Sequence, residues 1–138
     1  MDLLSHGVVG WSVGERISGT LPVRPLHMAP QRRRPGRGVI HHSDRGSQYT
    51  SEQFQRLLAD QGVTCSMSRS GDVWDNSAME SFFSSLKTER IHRKVYQTRE
   101  QAKADVFDYV ERFYNPYRRH STIGYVSPAD YEKTAELA

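Results

Sequence analysis

The stretch VIHHSDRGSQYTSEQFQRLLADQGVTCSM, Val39 to Met67, decides the fold. Gly38-Val39-Ile40-His41 is a short run with β-branched content and reads as a buried strand. From Thr50 or Ser51, either a good N-cap, Phe54, Leu57 and Leu58 recur at helical spacing, and Gly62 marks the stop. Val63, Cys65 and Met67 then alternate with Thr64 and Ser66, the period of a half-buried strand. Strand, helix and strand in that order predict an α/β unit with parallel pairing between the two strands. In such sheets function collects at the carboxyl ends of the strands, and Asp44 stands just past one.

Outward toward the N-terminus, Gly7 to Val13 (GVVGWSV) reads as another strand. Residues 14–37 read poorly, because Pro22, Pro25 and Pro30 would each interrupt a helix, and an irregular cover is expected there. Toward the C-terminus, Ser68 to Asp75 is a loop and Asn76 is the expected N-cap of a helix from Ser77 to about Arg90. Met79, Phe82, Phe83 and Leu86 form its apolar stripe. At about 100° per residue, Glu80, Ser84 and Lys87 share a neighbouring edge. Thr98-Arg99-Glu100-Gln101 is a capping box for a further helix with Ala102, Val106, Tyr109, Val110 and Phe113 inside. Asn115-Pro116 ends it, and Asp130 to Glu136 reads as a last short helical piece.

At 138 residues with 25% charged and 36% hydrophobic side chains, the chain is expected to be one soluble domain. No apolar run approaches the ~20 residues of a membrane span and no signal peptide is evident, so a cytoplasmic location is expected. Cys65 is the single cysteine and reads as a small buried hydrophobe. The net charge of +3 is unevenly spread, residues 1–69 carrying +4 and residues 70–138 carrying −1. Arg32, Arg33, Arg34 and Arg37 in a Pro/Gly loop would attract a phosphate backbone, or form a solvated loop.

Asp44 and Glu80 are the carboxylates placed to do chemistry. Brought together they repel unless protonated, paired with cations or holding a metal, and oxygen-only ligation suits magnesium or manganese. The alternative is structural: Asp44 pairs with Arg45 or caps a turn, and Glu80 pairs with Ser84 or Lys87. His41 and His42 are adjacent on a strand, so they point to opposite faces and do not readily share one ion.

Thirty-five residues separate Asp44 from Glu80, and Lys87 follows Glu80 by seven. With those intervals, the words HSDRGSQYTS and DNSAMESFFSSLKTE and the closing YNPYRRH segment resemble insertion-sequence transposases of the OrfB type, relatives of retroviral integrases. The resemblance runs from Asp2-Leu3 to Ser127-Pro128. It implies a ribonuclease-H-like integrase core in residues 1–128, with 129–138 as a C-terminal tail. It also implies DNA transposition by metal-dependent phosphodiester transfer, three acidic residues holding two Mg2+ or Mn2+ ions. By position Asp44 is the second acid and Glu80 the third. Lys87 would contact a phosphate of the transposon end, with Arg45, Gln48, Asn76, Arg118 and Arg119 as further DNA-binding residues. DNA, an upstream OrfA-type or N-terminal transposase segment and further copies of the chain are the implied partners, with no membrane.

Two departures stand beside that resemblance. The family's first aspartate lies on a central strand that this chain is expected to lack, and Asp2 is too near Asp44 to replace it, with forty-one residues between them. The prolines of residues 21–30 fall where the family has a covering helix. Together they predict a truncated transposase, inactive alone. The alternative class is a non-catalytic DNA-binding or assembly-interfering fragment.

Overall fold

The computed structural model describes residues 1–12, 25, 28, 39–43, 47–67 and 77–137. The chain divides into two compact units, residues 9–77 and residues 1–8 with 78–138.

The 9–77 unit contains the strand–helix–strand element expected from the sequence. β1 (Ile40–Ser43) leads through a short helical turn, α1 (Ser47–Thr50), into α2 (Glu52–Asp60) and then β2 (Thr64–Met67). The strands pair in parallel, with Ile40, His41, His42 and Ser43 opposite Thr64, Cys65, Ser66 and Met67. The helix starts where Ser51 Oγ accepts from the Phe54 amide at 3.3 Å. It stops in a Schellman turn: Gly62 N donates to Ala59 O at 3.0 Å and Val63 N to Leu58 O at 2.9 Å. Gly62 sits at φ +67°, a conformation glycine adopts without a Cβ clash. Thr64 N then donates to Val39 O at 2.9 Å, so the stop of the helix delivers the chain straight into the sheet.

Phe54 and Leu58 are fully buried on the inner stripe of α2. Each such side chain contributes about 2 kcal/mol by leaving water. The Phe54 ring meets His41 edge-on at 5.3 Å and Tyr49 at 5.6 Å. His42 Nδ1 lies 2.9 Å from Ser66 Oγ on the facing strand. Cys65 corrects an expectation, being exposed rather than buried. It lies opposite His41, but where Phe54 meets that histidine edge-on, the polar Gln55 side chain reaches Cys65, at 3.6 Å.

Two further expectations change here. Residues 6–12 form no strand ladder. Val8 shows why: its N–H donates to Asn115 Oδ1 and its carbonyl accepts from Asn115 Nδ2, both at 2.9 Å, so one amide side chain satisfies both groups a neighbouring strand would use. In the proline segment, Pro25 and Met28 have helical backbone, so at these two positions the cover is not irregular. Proline fits a helix wherever its missing N–H is not needed. A Cβ on Gly10 would lie 2.2 Å from Pro25 O, and only glycine allows that approach. The other residues of 13–38, including the arginines of 32–37, lie outside the described residues.

The other unit is helical. α3 (Ser77–Leu86) continues as a π-turn, Lys87–Ile91; α4 (Arg99–Phe107) continues as a π-helical stretch, Asp108–Tyr114. A 3-10 turn at Ser121–Ile123 precedes α5 (Pro128–Leu137). In the capping box of α4, Gln101 N donates to the N-cap Thr98 Oγ1 as expected, while the return bond to Gln101 Oε1 comes from Gln97 N, one residue before the cap. The C-terminal helix is longer than expected because Pro128 opens it and Ser127 Oγ caps the Asp130 amide at 3.2 Å.

Tyr109, Val110, Tyr114, Phe82, Leu86 and Val8 form the core of this unit. Phe113, expected inside, is exposed, and Tyr114 takes its place. The cause is the π-turn: Asn115 N donates to Val110 O, five residues back, so the inner stripe slips by one position. Phe83 is likewise 49% exposed, leaving Phe82 and Leu86 as the buried positions of α3. Among the described residues no helix is long and apolar enough to cross a membrane.

Candidate metal and nucleic-acid site

Asp44, Arg45 and Asn76 lie outside the described residues, and of Gln48 only the helical backbone in α1 is described. The residue before Asp44, Ser43, is buried at the carboxyl end of β1. Asp44 falls in the 9–77 unit and Glu80 in the other.

Glu80 is in the first turn of α3, where the exposed amides of a helix N-terminus favour a carboxylate. It is exposed, as are Ser84 and Lys87 further along the same edge. Among the described residues neither the Glu80 nor the Lys87 side chain makes a hydrogen bond or ion pair, so the Glu80–Ser84 and Glu80–Lys87 pairings are not formed. Two helical turns put the acid and the base about 10 Å apart along the edge. Just beyond, Thr88 Oγ1 donates to Ser84 O at 2.8 Å where the helix widens.

The basic residues after Lys87 differ sharply in what they already hold. Arg90 Nη1 donates to Asp105 Oδ1 at 3.1 Å and Asp108 Oδ2 at 2.7 Å. Lys94 Nζ lies 2.9 Å from Asp105 Oδ2, which also accepts from the Tyr96 hydroxyl. Burial pushes the Asp105 carboxyl up, but the bonds from Tyr96, Lys94 and Arg90 outweigh it and hold it down at about 2. His92 and Arg93 are exposed, and their side chains have no partner among the described residues.

Arg118 is committed to an ion pair within its own unit. Its Nε donates to Glu89 Oε1 and Oε2 at 2.9 and 3.0 Å, and its Nη2 to Oε1 at 2.7 Å. The Tyr109 hydroxyl adds a bond to Glu89 Oε2 at 2.7 Å. The Arg118 hydrogen bond, with that of Tyr109, holds the Glu89 carboxyl below the usual range. Arg119, by contrast, is exposed and its guanidinium has no partner among the described residues. The closing YNPYRRH word is therefore largely structural: Tyr114 is core, Asn115 pins Val8, Arg118 clamps Glu89, and buried His120 meets Tyr114 edge-on at 5.0 Å. Glu89 is the residue that sequence reasoning passed over. Its signal was a lone acid directly after the Lys87-Thr88 pair, two residues beyond the edge being read.

Among the described residues no group of three or more His, Cys, Asp or Glu side chains converges as a metal cage. Asp2 is accounted for separately: its Oδ1 accepts from Leu4 N, Ser5 N and Ser5 Oγ, closing the turn at residues 3–5.

An integrase core domain model matches residues 1–73, and a second integrase core domain model matches residues 80–135. The chain belongs to the integrase core domain family. It is 41% identical over 133 residues to the transposase for insertion sequence element IS904 of Lactococcus lactis, covering 96% of this chain and 53% of that protein. To transposase InsF for insertion sequence IS3A of Escherichia coli it is 45% identical over 132 residues, covering 96% of this chain and 46% of that protein. The chain thus spans about half the length of the curated relatives it matches. Among solved structures, the catalytic core domain of BIV integrase superposes with a TM-score of 0.59 at 18% identity, covering 97% of this chain and 83% of that one. The fold is α/β, of the ribonuclease-H-like integrase core type.

Proposed function

We propose that the chain takes part in DNA transposition, as the portion of an insertion-sequence transposase that supplies two of the three acids of a phosphodiester-transfer site. Family membership gives the class. The observation that carries the site is Glu80, an exposed carboxylate that no cation of its own unit neutralises, on one helix edge with the unpartnered Lys87. Asp44 would be the second acid, following directly on β1.

Carboxylate oxygens at Asp44 and Glu80 have the donor chemistry of a magnesium or manganese site. Such ions, when bound, activate the attacking oxygen and stabilise the leaving one. Lys87 would hold a phosphate of the transposon end beside Glu80, with Arg45, Gln48, Asn76 and Arg119 as further DNA contacts. Arg118 would act indirectly, by fixing Glu89 and the turn that follows Lys87. Asp2, occupied in its turn, is not assigned the remaining acid; we assign that to polypeptide outside these 138 residues, an N-terminal transposase segment or OrfA-type partner. Alone, the 138 residues would bind DNA without cutting it.

The test is a nicking assay on a matched transposon end with magnesium or manganese, with and without the remaining half of a full-length relative. Salt-sensitive binding without nicking is expected for the chain alone, and nicking on complementation that Asp44→Asn or Glu80→Gln abolishes. Nicking by the isolated chain would overturn the assignment of the third acid. Complemented nicking indifferent to Glu80→Gln would overturn the site.

A further inference from the structure

Three non-glycine residues among those described hold positive φ: His6 at 61°, Arg93 at 65° and Tyr125 at 60°. For a bulky L side chain this is sterically costly, and such positions persist only where surrounding structure holds them. His6 gains ring contact with His120, centroid to centroid 5.7 Å. Tyr125 gains none, being 70% exposed and without a side-chain partner among the described residues.

Tyr125 is nonetheless held firmly. Its N–H donates to His120 O at 2.8 Å, and His120 N donates to Val126 O at 3.1 Å, closing a bracket around the 3-10 turn. His120, Ser127 and Pro128 anchor both ends in the core. The bracket presents the ring to solvent. Tyr117, on the same loop, is 72% exposed, and between them Arg119 offers a guanidinium without a partner while Arg118 is fully engaged with Glu89.

Exposed aromatic faces on a loop that also carries an unpaired cation suit unpaired nucleotides: a ring stacks on any base face, and the guanidinium takes a backbone phosphate. A duplex hides its base faces in the stack, so it offers Tyr125 nothing comparable. We propose that the loop from Tyr117 to Tyr125 binds unpaired nucleotides, with Tyr125 stacking on a base and Arg119 contacting the backbone. The proposal rests on the DNA function above for its partner class and adds which strand state this loop selects.

The test titrates the 138-residue chain with a short labelled single-stranded oligonucleotide and with the duplex of the same sequence. Tyr125→Gly suits the site because glycine accepts its φ; Tyr125→Trp keeps the stacking face. Tyr125→Gly should retain or raise the melting temperature, lower single-strand affinity about tenfold and leave duplex affinity within about twofold. Tyr125→Trp should keep single-strand affinity, and Tyr117→Ala, at a solvated position, should lower it severalfold. Single-strand binding indifferent to both Tyr125→Gly and Tyr117→Ala would overturn the proposal while leaving the DNA function intact. Failure of the unaltered chain to bind either oligonucleotide would overturn both. If the substitutions change sedimentation instead of oligonucleotide affinity, the loop is a protein contact and the proposal falls.

Discussion

Arg118 grips Glu89 through three hydrogen bonds of 2.7 to 3.0 Å, across 28 intervening residues of sequence. The pair ties the end of the α3 helix to the closing loop, and both partners are only partly exposed, at 24% and 35% of their side chains. Arg118→Ala leaves Glu89 half-covered with only the Tyr109 hydroxyl. The expected loss is about 1–2 kcal/mol in urea unfolding, below a fully buried pair because water still reaches it. A double-mutant cycle with Glu89→Gln should show coupling of about 1 kcal/mol; strict additivity would mean the contact contributes nothing.

Tyr114 and Phe113 test the slipped register of the π-turn. Tyr114→Ala should cost about 3–4 kcal/mol, since it empties the contact with Phe82, Tyr109 and His120. Phe113→Ala should cost about 1 kcal/mol or less. Equal costs in chemical denaturation would show that α4 keeps an ordinary α-helical stripe.

These two positions mark how far the sequence was legible. The order strand–helix–strand of residues 39–67 was readable because a serine cap, helical spacing and a glycine stop agreed, but burial on the strands was not: Ile40 and Cys65, both read as buried, are exposed. Nothing local announces a π-turn, since Asp108 to Tyr114 has the same spacing whichever ring is inside, and packing alone chooses Tyr114. The GVVGWSV run misled for a related reason. Its strand propensity is real, but a ladder needs a partner, and Val8 finds Asn115 instead. At the candidate site, the Glu80–Lys87 edge followed from helical geometry alone, whereas the commitments of Arg118 and Asn115 depend on neighbours far away in sequence.

Asn115→Ala should therefore do more than shorten a side chain. It removes both bonds to Val8 and leaves a buried N–H and carbonyl unsatisfied, at about 2 kcal/mol together. Amide exchange at Val8 should accelerate well beyond that at Val110. Unchanged protection at Val8 would mean another partner replaces the amide.

His120 predicts a pH dependence with a definite sign. Burial first, then the Arg118 guanidinium and the neighbouring His6, push it down to about 4 from an ordinary 6.5. Between those values the unfolded chain takes up a proton that the folded chain refuses, so stability is full above pH 6.5 and falls as pH drops toward 4. Asp105, held at about 2 from 3.8, adds a second loss only as pH falls through that lower window. Melting temperature should decline from pH 6.5 to 4 and then continue down. His120→Gln should reduce the slope of the upper limb, where His41, also held below 6.5 by burial, still contributes, and leave the lower limb as it is; an unaltered upper slope would exclude His120 as a source of it.

Lys87 separates binding from folding more cleanly than any other residue of the candidate site. Its side chain has no partner within the described residues, so Lys87→Ala breaks no side-chain contact, and the melting temperature should stay within a degree or two. If it contacts a phosphate, its removal releases one counterion fewer on binding, and the slope of log affinity against log salt should fall by about one. Arg118→Ala should behave in the opposite way, lowering stability through Glu89 while leaving the salt slope nearly unchanged, because that guanidinium is already neutralised. A lower slope for Arg118→Ala with none for Lys87→Ala would move the phosphate contact from the α3 edge to the closing loop.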